Sequence, residues 1–149
     1  MRAVRYHEFG GREKLQLEQI PQPELDGDNV LLQITRAGVS PLDDKVRNGV
    51  LPPAMRKPLP LIPGASAVGQ VADPGASELA HGMRVLLCGW GYGTKLDGTW
   101  REFAAVPSSH LVPIPDGVTN DASEQQEAAG PRFRRMWPGS VPRRNHPAV

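Results

Sequence analysis

One cysteine in 149 residues excludes an intrachain disulfide framework and a thiolate zinc cluster, since each needs more than one sulfur. Cys88 ends the apolar run VLLC and reads as a buried strand residue. No apolar run approaches the ~20 residues needed to span a bilayer. The N-terminal MRAVRYHEFG lacks the apolar stretch of a signal peptide. A net charge of +1 gives no bulk attraction to nucleic acid or to an anionic membrane. A soluble, cytoplasmic protein is expected. The length suits one ordinary domain of roughly 100–150 residues, not two.

What is present is a series of short alternating segments. NVLLQITRAGV is the strongest, with Val30, Leu32 and Ile34 on one face, the period-2 pattern of a half-buried strand. MRAVRYHE puts Val4 and Tyr6 in phase and Ala3 out of phase, and SAVGQVAD, MRVLLC and TWREFAAVP follow. Turn signals separate them at Gly10-Gly11, Asp26 to Asn29, Asp73 to Ser77 and Leu96 to Thr99. Many short strands with frequent Gly and Pro predict an all-β barrel or sandwich core.

SPLDDKVRNG reads as one short helix. Ser40 is its N-cap, Pro41 its first residue, and Asp43 places a charge at its N-terminus. Lys45 and Arg47 suit the C-terminal end, and Gly49 can close it in the left-handed conformation. VLPPAMRKPLPLIPG, with prolines at 52, 53, 58, 60 and 63, reads as a loop over the surface. From Ser123 the pattern stops. Residues 123–149 are Pro-, Gly- and Arg-rich, with five arginines against Glu124 and Glu127, and resemble a disordered tail. Its aromatics Phe133 and Trp137 among arginines also fit an RNA- or lipid-binding patch, a reading ranked below the frayed terminus.

Taken in order, AGVSPLDDKVRNG, PLPLIPGASAVGQV and GMRVLLCGWGYGTKLDGTWREFAAVPSSHLVPIPDGVTNDA resemble the N-terminal catalytic domain of the medium-chain dehydrogenase/reductase superfamily. The likeness is closest to its zinc-independent quinone oxidoreductase-like branch and covers residues 1–122. It implies a mainly β, GroES-like, partly open barrel with short helices. In zinc-dependent members a cysteine after the long strand binds the catalytic metal, and Ser40 stands at the matching position here. A His-Glu pair follows the Pro-Gly of the next strand in those members; Ala65 and Ser66 stand there. The four-cysteine structural zinc lobe is replaced by GWGYGTKLDG. His7, His81 and His110 are scattered without ligand spacing, so no zinc is expected.

Without metal, the resemblance implies hydride transfer from NADPH to a quinone, enone or enal. The protein then supplies placement and a hydrogen bond to the developing oxyanion. Ser40 and Lys45 are the candidate catalytic residues, with Asp43, Ser66 and Tyr92 lining the substrate or cofactor cleft. Structural readings stand beside these: Ser40 as N-cap, Asp43 and Lys45 as helix-end charges, and Tyr92 at a flexible hairpin tip. The implied partners are a small carbonyl or quinone substrate and further copies of the chain, with no nucleic acid and no membrane.

Relatives hold the cofactor with a Rossmann domain, whose glycine-rich turn meets the pyrophosphate. GWGYGTKL follows no βαβ pattern, and Leu96 occupies the place of a third fingerprint glycine. The change of character after VTNDA reads as a truncated or frame-shifted gene product. Two readings follow: a catalytic-domain portion inactive alone, or a free-standing barrel that binds partners through its basic tail.

Overall fold

The computed structural model describes residues 1–118; the Pro/Gly/Arg-rich tail expected from residue 123 lies outside them. The alternating segments form strands. β1 (Arg2–Arg5) and β2 (Gln16–Gln19) make a two-stranded ribbon. β3 (Asn29–Ala37), β4 (Ser66–Asp73), β5 (Arg84–Cys88), β6 (Phe103–Pro107) and β7 (Leu111–Pro113) make a sheet in the order β6-β3-β4-β5-β7. Every pairing is antiparallel. The architecture is mainly β, with short helices between the strands.

The pattern read in β3 holds: Val30 and Leu32 are buried and Ile34 packs against the same core. Those side chains meet Val71, Val85, Leu87, Ala104, Val106 and Leu111 from the other four strands. β4 buries Ala67, Val68 and Gly69 in succession, so both its faces are covered, as expected of a central strand. β3 slips register between Leu31 and Leu32 and again between Ile34 and Arg36. Such bulges bend a strand and help a sheet curl.

Three expectations change. Ala3 is buried while Val4 is only half-buried, because Ala3 pairs with Glu18 and also bridges to Arg101, covering it on both sides. Cys88 is half-buried rather than buried, since β5 ends there, one residue past the last that pairs with β7. The proline-rich segment runs over the surface only at first. Leu61 bridges to Tyr6, and Leu61, Ile62, Pro63 and Gly64 are all buried. β2 and β7 escape the sequence pattern. QLEQ is nearly all polar and mostly exposed, and LVP is too short to show a period.

The helix forms as read. α1 (Pro41–Arg47) has Ser40 as N-cap and is followed by Gly49 at φ +73°. At seven residues it is too short to stand alone in water, so packing decides. Val46 joins Tyr6 and Leu61 in a second core flanked by Phe9, Leu15, Leu51 and Leu59. The Gly10 N–H donates to the Arg47 carbonyl at 3.0 Å, and the Arg47 guanidinium donates back to the Gly10 carbonyl. Arg56 lies over the Phe9 ring at 4.1 Å, a favourable cation–π contact. Among the described residues no helix is long and apolar enough to cross a membrane.

Both tyrosines of the chain are buried, and each phenol is pushed up to about 12, chiefly by burial. The Tyr6 hydroxyl has no hydrogen-bond partner among the described residues. A folded-state value above the unfolded one near 10 gives stability present below pH 10, lost as pH rises toward 12. Absorbance at 295 nm should therefore show little phenolate in the folded protein at about pH 11, against a midpoint of about 10 in denaturant. A native titration step near 10 with the amplitude of one tyrosine would contradict this packing.

Candidate functional site

Antiparallel order brings alternate strand ends to one rim of the sheet. β3 ends there at Ala37, opposite Ala67 of β4. β4 begins there with Ser66, opposite Cys88 at the end of β5. β7 begins there with Leu111, opposite Leu87. The rim therefore carries Ser40 just past β3, Ser66, Cys88, and His110 just before β7.

The Pro63-Gly64 turn anchors this rim. Asp43, only 5% exposed, accepts three hydrogen bonds. Its Oδ2 takes the Ser40 N–H at 2.7 Å and the Ser40 Oγ–H at 2.9 Å; its Oδ1 takes the Gly64 N–H at 2.8 Å. The segment after the glycine-rich loop then wraps the same turn. Gly98 N–H donates to the Ile62 carbonyl, Trp100 N–H to that of Pro63, and Thr99 N–H to that of Gly64. The Thr99 hydroxyl, 1% exposed, donates to the Ser66 carbonyl at 2.8 Å. The Trp100 indole N–H donates to the Gly38 carbonyl at 2.9 Å. Gly64 sits at φ +102°, a region that L side chains rarely adopt. A β-carbon on Gly93 would lie 2.9 Å from the Gly64 backbone, and one on Gly98 would collide with the Pro63 and Gly64 carbonyls. Three backbones meet where no side chain fits.

The five site residues read from the sequence are partly united. Ser40 and Asp43 are bonded to each other, and Ser66 joins them through Gly38, whose N–H donates to the Ser66 carbonyl at 2.9 Å. Ser66 is half-buried at the rim. Lys45 is exposed. At 100° per residue it points about 200° around the helix from Asp43, so α1 turns it to solvent and away from the Ser40 cap. Tyr92 is no hairpin tip. It is 4% exposed within the main core, and its hydroxyl lies 2.9 Å from Nδ1 of His110.

Two residues at this rim carried no sequence signal. His110 looked like one scattered histidine of several, because its contacts are made across strands. Trp90 sat inside what read as a glycine turn. Its indole stacks on the His110 ring with centroids 4.1 Å apart and planes 12° apart. Such contacts contribute about 0.5–1.5 kcal/mol between aromatic side chains. Among the described residues no group of three His, Cys, Asp or Glu side chains gathers as metal ligands.

A family model described as the alcohol dehydrogenase GroES-like domain matches residues 26–116. The chain belongs to that family. This GroES-like domain is 34% identical over 122 residues to the quinone oxidoreductase of Mus musculus, covering 78% of this chain and 34% of that protein. It is 29% identical over 128 residues to an L-threonine 3-dehydrogenase of Mesorhizobium japonicum, covering 70% and 37%. An alcohol dehydrogenase superfamily protein from Novosphingobium aromaticivorans superposes with TM-score 0.71 at 32% identity, over 80% of this chain and 36% of that one. The quinone oxidoreductase of Thermus thermophilus, solved also in complex with NADPH, gives TM-score 0.63 at 28% identity, over 80% and 34%. The GroES-like domain thus spans about a third of the length of these relatives.

Burial holds the His110 imidazole below its ordinary value of 6.5, so the fold favours the neutral ring. Its stability contribution is present above the unfolded pKa and lost as pH falls through 6.5 toward the lower folded value. The Glu8 and Glu102 carboxylates, lowered by Lys14 and Arg2 respectively, act in a separate window that opens only below 4.5. The melting temperature should fall between pH 7 and pH 5 in the parent and fall less in His110→Gln, which cannot titrate. Parallel pH profiles for the two proteins would remove His110 from this role.

Proposed function

We propose that the chain is the catalytic-domain portion of a zinc-independent, NADPH-dependent oxidoreductase that delivers hydride to a quinone, enone or enal. The observation that carries this is the chemistry of the rim. The positions that hold zinc ligands in metal-dependent members of the superfamily are Ser40, Ala65 and Ser66 here, and they converge around the Pro63-Gly64 turn. That set offers hydroxyls and a methyl group, not a metal site. Carbonyl activation then falls to hydrogen bonding.

The donors are distinguishable. The Ser40 hydroxyl gives its proton to Asp43, so toward a ligand it is an acceptor, suited to a substrate or ribose hydroxyl. Lys45, exposed one turn along α1, has three ammonium protons and reach. Because α1 turns it away from the Ser40 cap, its flexible stem has to fold back over the rim to donate to the oxygen on which negative charge develops, with Ser66 beside the substrate. Asp43 holds Ser40 in place, and Tyr92 supports the cleft wall through His110. The cofactor supplies the hydride. The described residues build no phosphate cradle for it: no glycine-rich turn runs from a strand into a helix, and α1 begins on a side-chain cap. NADPH therefore does not fit these residues by themselves. The same reading has a cytoplasmic protein acting on small molecules and associating with copies of itself.

A pyrophosphate cradle consists of charge-assisted hydrogen bonds, each typically about 1.5–3 kcal/mol. Lacking a few of them weakens binding by several powers of ten. The 149-residue chain should show no saturable NADPH binding at micromolar concentration by calorimetry and no enone reduction above background. It should also carry no stoichiometric zinc by elemental analysis. A micromolar dissociation constant with turnover abolished in Lys45→Ala would make the domain an enzyme in its own right. One tightly held zinc per chain would overturn the metal-free reading.

A further inference from the structure

Of the loop from Gly89 to Gly93 only Tyr92 enters the reading above, yet the whole loop is built in an unusual way. Trp90, at φ +56°, is the one non-glycine residue in the left-handed region among the described residues. A bulky side chain there is strained, and Gly89 and Gly91 on either side adopt the same region without penalty. The indole is also 46% exposed, so an aromatic surface is held toward water. Strain and exposure together mark a residue whose placement the surrounding structure enforces.

The enforcement is visible. The indole lies flat on His110. Behind it, Tyr92 meets His110 edge-on, with ring centroids 5.8 Å apart and planes at 79°, and its hydroxyl bonds Nδ1. Tyr92 is rooted in the main core. An exposed indole is thus backed by an imidazole, and the imidazole by a buried phenol. The loop is fixed beside the site as well. Gly89 N–H donates to the Ala65 carbonyl at 3.2 Å, and Cys88 pairs with Ser66. Trp90 therefore stands two residues beyond the strand partner of Ser66.

We propose that Trp90, mounted on His110 and Tyr92, is a stacking residue that positions flat, conjugated carbonyl rings at the rim beside Ser66. The assignment rests on reading that rim as the reductase substrate site. An electron-rich indole face attracts an electron-poor quinone ring in an offset stack. A saturated, puckered diketone offers no such face. The ledge therefore selects quinones over saturated carbonyl compounds of the same size.

The test uses the full 149-residue chain and two ligands, followed by NMR shifts of backbone amides and indole N–H groups. One is tetramethyl-1,4-benzoquinone, whose fully substituted ring leaves no open position for thiol addition at Cys88. The other is 2,3,5,6-tetramethylcyclohexane-1,4-dione, which carries the same four methyl groups on a saturated, puckered ring. The quinone should shift the Trp90 indole with Gly89, Gly91 and Ser66, and should bind about tenfold more tightly than the dione. Trp90→Gly suits the left-handed backbone and folds without strain. It should lose that tenfold preference, and Trp90→Phe should restore most of it. His110→Leu, which removes the ring under the indole, should weaken quinone binding more than dione binding. Equal quinone affinity in the parent and Trp90→Gly overturns the stacking role, and shifts at Ser40, Ser66 or Lys45 in that case leave the reductase reading standing. Shifts confined to Trp90 and its loop keep the stacking and remove the reductase reading. Binding of neither ligand overturns the stacking role.

Discussion

The hydrogen bond from the Gly64 N–H to the buried Asp43 carboxylate joins two parts of the chain that neither local propensity nor sheet pairing would bring together. α1 is too short to persist by its own backbone bonds. The Pro63-Gly64 turn has a left-handed glycine in a buried place, where its N–H needs a partner. One carboxylate serves both, taking Gly64 through Oδ1 and capping the helix through Oδ2. A buried charge costs several kcal/mol when unpaired, and here it is offset by three donors. The arrangement holds only if helix start and turn stay in register.

From that register the rim follows. Fixing Gly64 places Ala65 and Ser66 at the start of β4, and the wrap of Gly98 to Trp100 locks the turn from the other side. Ser40 is set by the same carboxylate. In the proposed reading, the hydroxyls at these positions orient a carbonyl compound without a metal. The aromatic ledge of Trp90 and His110 adds an apolar wall beside it. In that reading, polar groups on a rigid edge with an aromatic flank suit a small, flat substrate.

Much of this was legible in sequence because the signals were local. The strand β3 and the capped helix with Ser40, Pro41 and Gly49 each rest on a few consecutive residues. Segments whose state is set at long range were not legible. Leu61 to Gly64 read as surface because prolines surround them, yet they are buried by contacts with Tyr6 and with Gly98 to Trp100. Tyr92 sat in a glycine-rich stretch that looked mobile, and its partner His110 is 18 residues away. Asp43 was read as a helix-end charge. The larger part of its role, reaching a turn 21 residues on, has no local signature. Thr99 is similar, since its bond to the Ser66 carbonyl spans 33 residues.

The most direct test of this account is the equilibrium stability of Asp43→Ala and Asp43→Asn by denaturant unfolding. Alanine leaves the buried Gly64 N–H unpaired, costing about 1–3 kcal/mol, and removes the capping contact of the half-buried Ser40, costing about 0.5–2 kcal/mol. It should therefore destabilise the fold by about 2–4 kcal/mol, a large share of the 5–15 kcal/mol typical of a domain. Asparagine can keep an oxygen toward Gly64 but turns an amide N–H₂ toward the two Ser40 donors, so it should fall between the parent and alanine. In both variants the Gly64 amide should exchange faster with solvent than in the parent. A loss below about 1 kcal/mol for Asp43→Ala, with Gly64 exchange unchanged, would show that the rim stands without this carboxylate and would contradict the account.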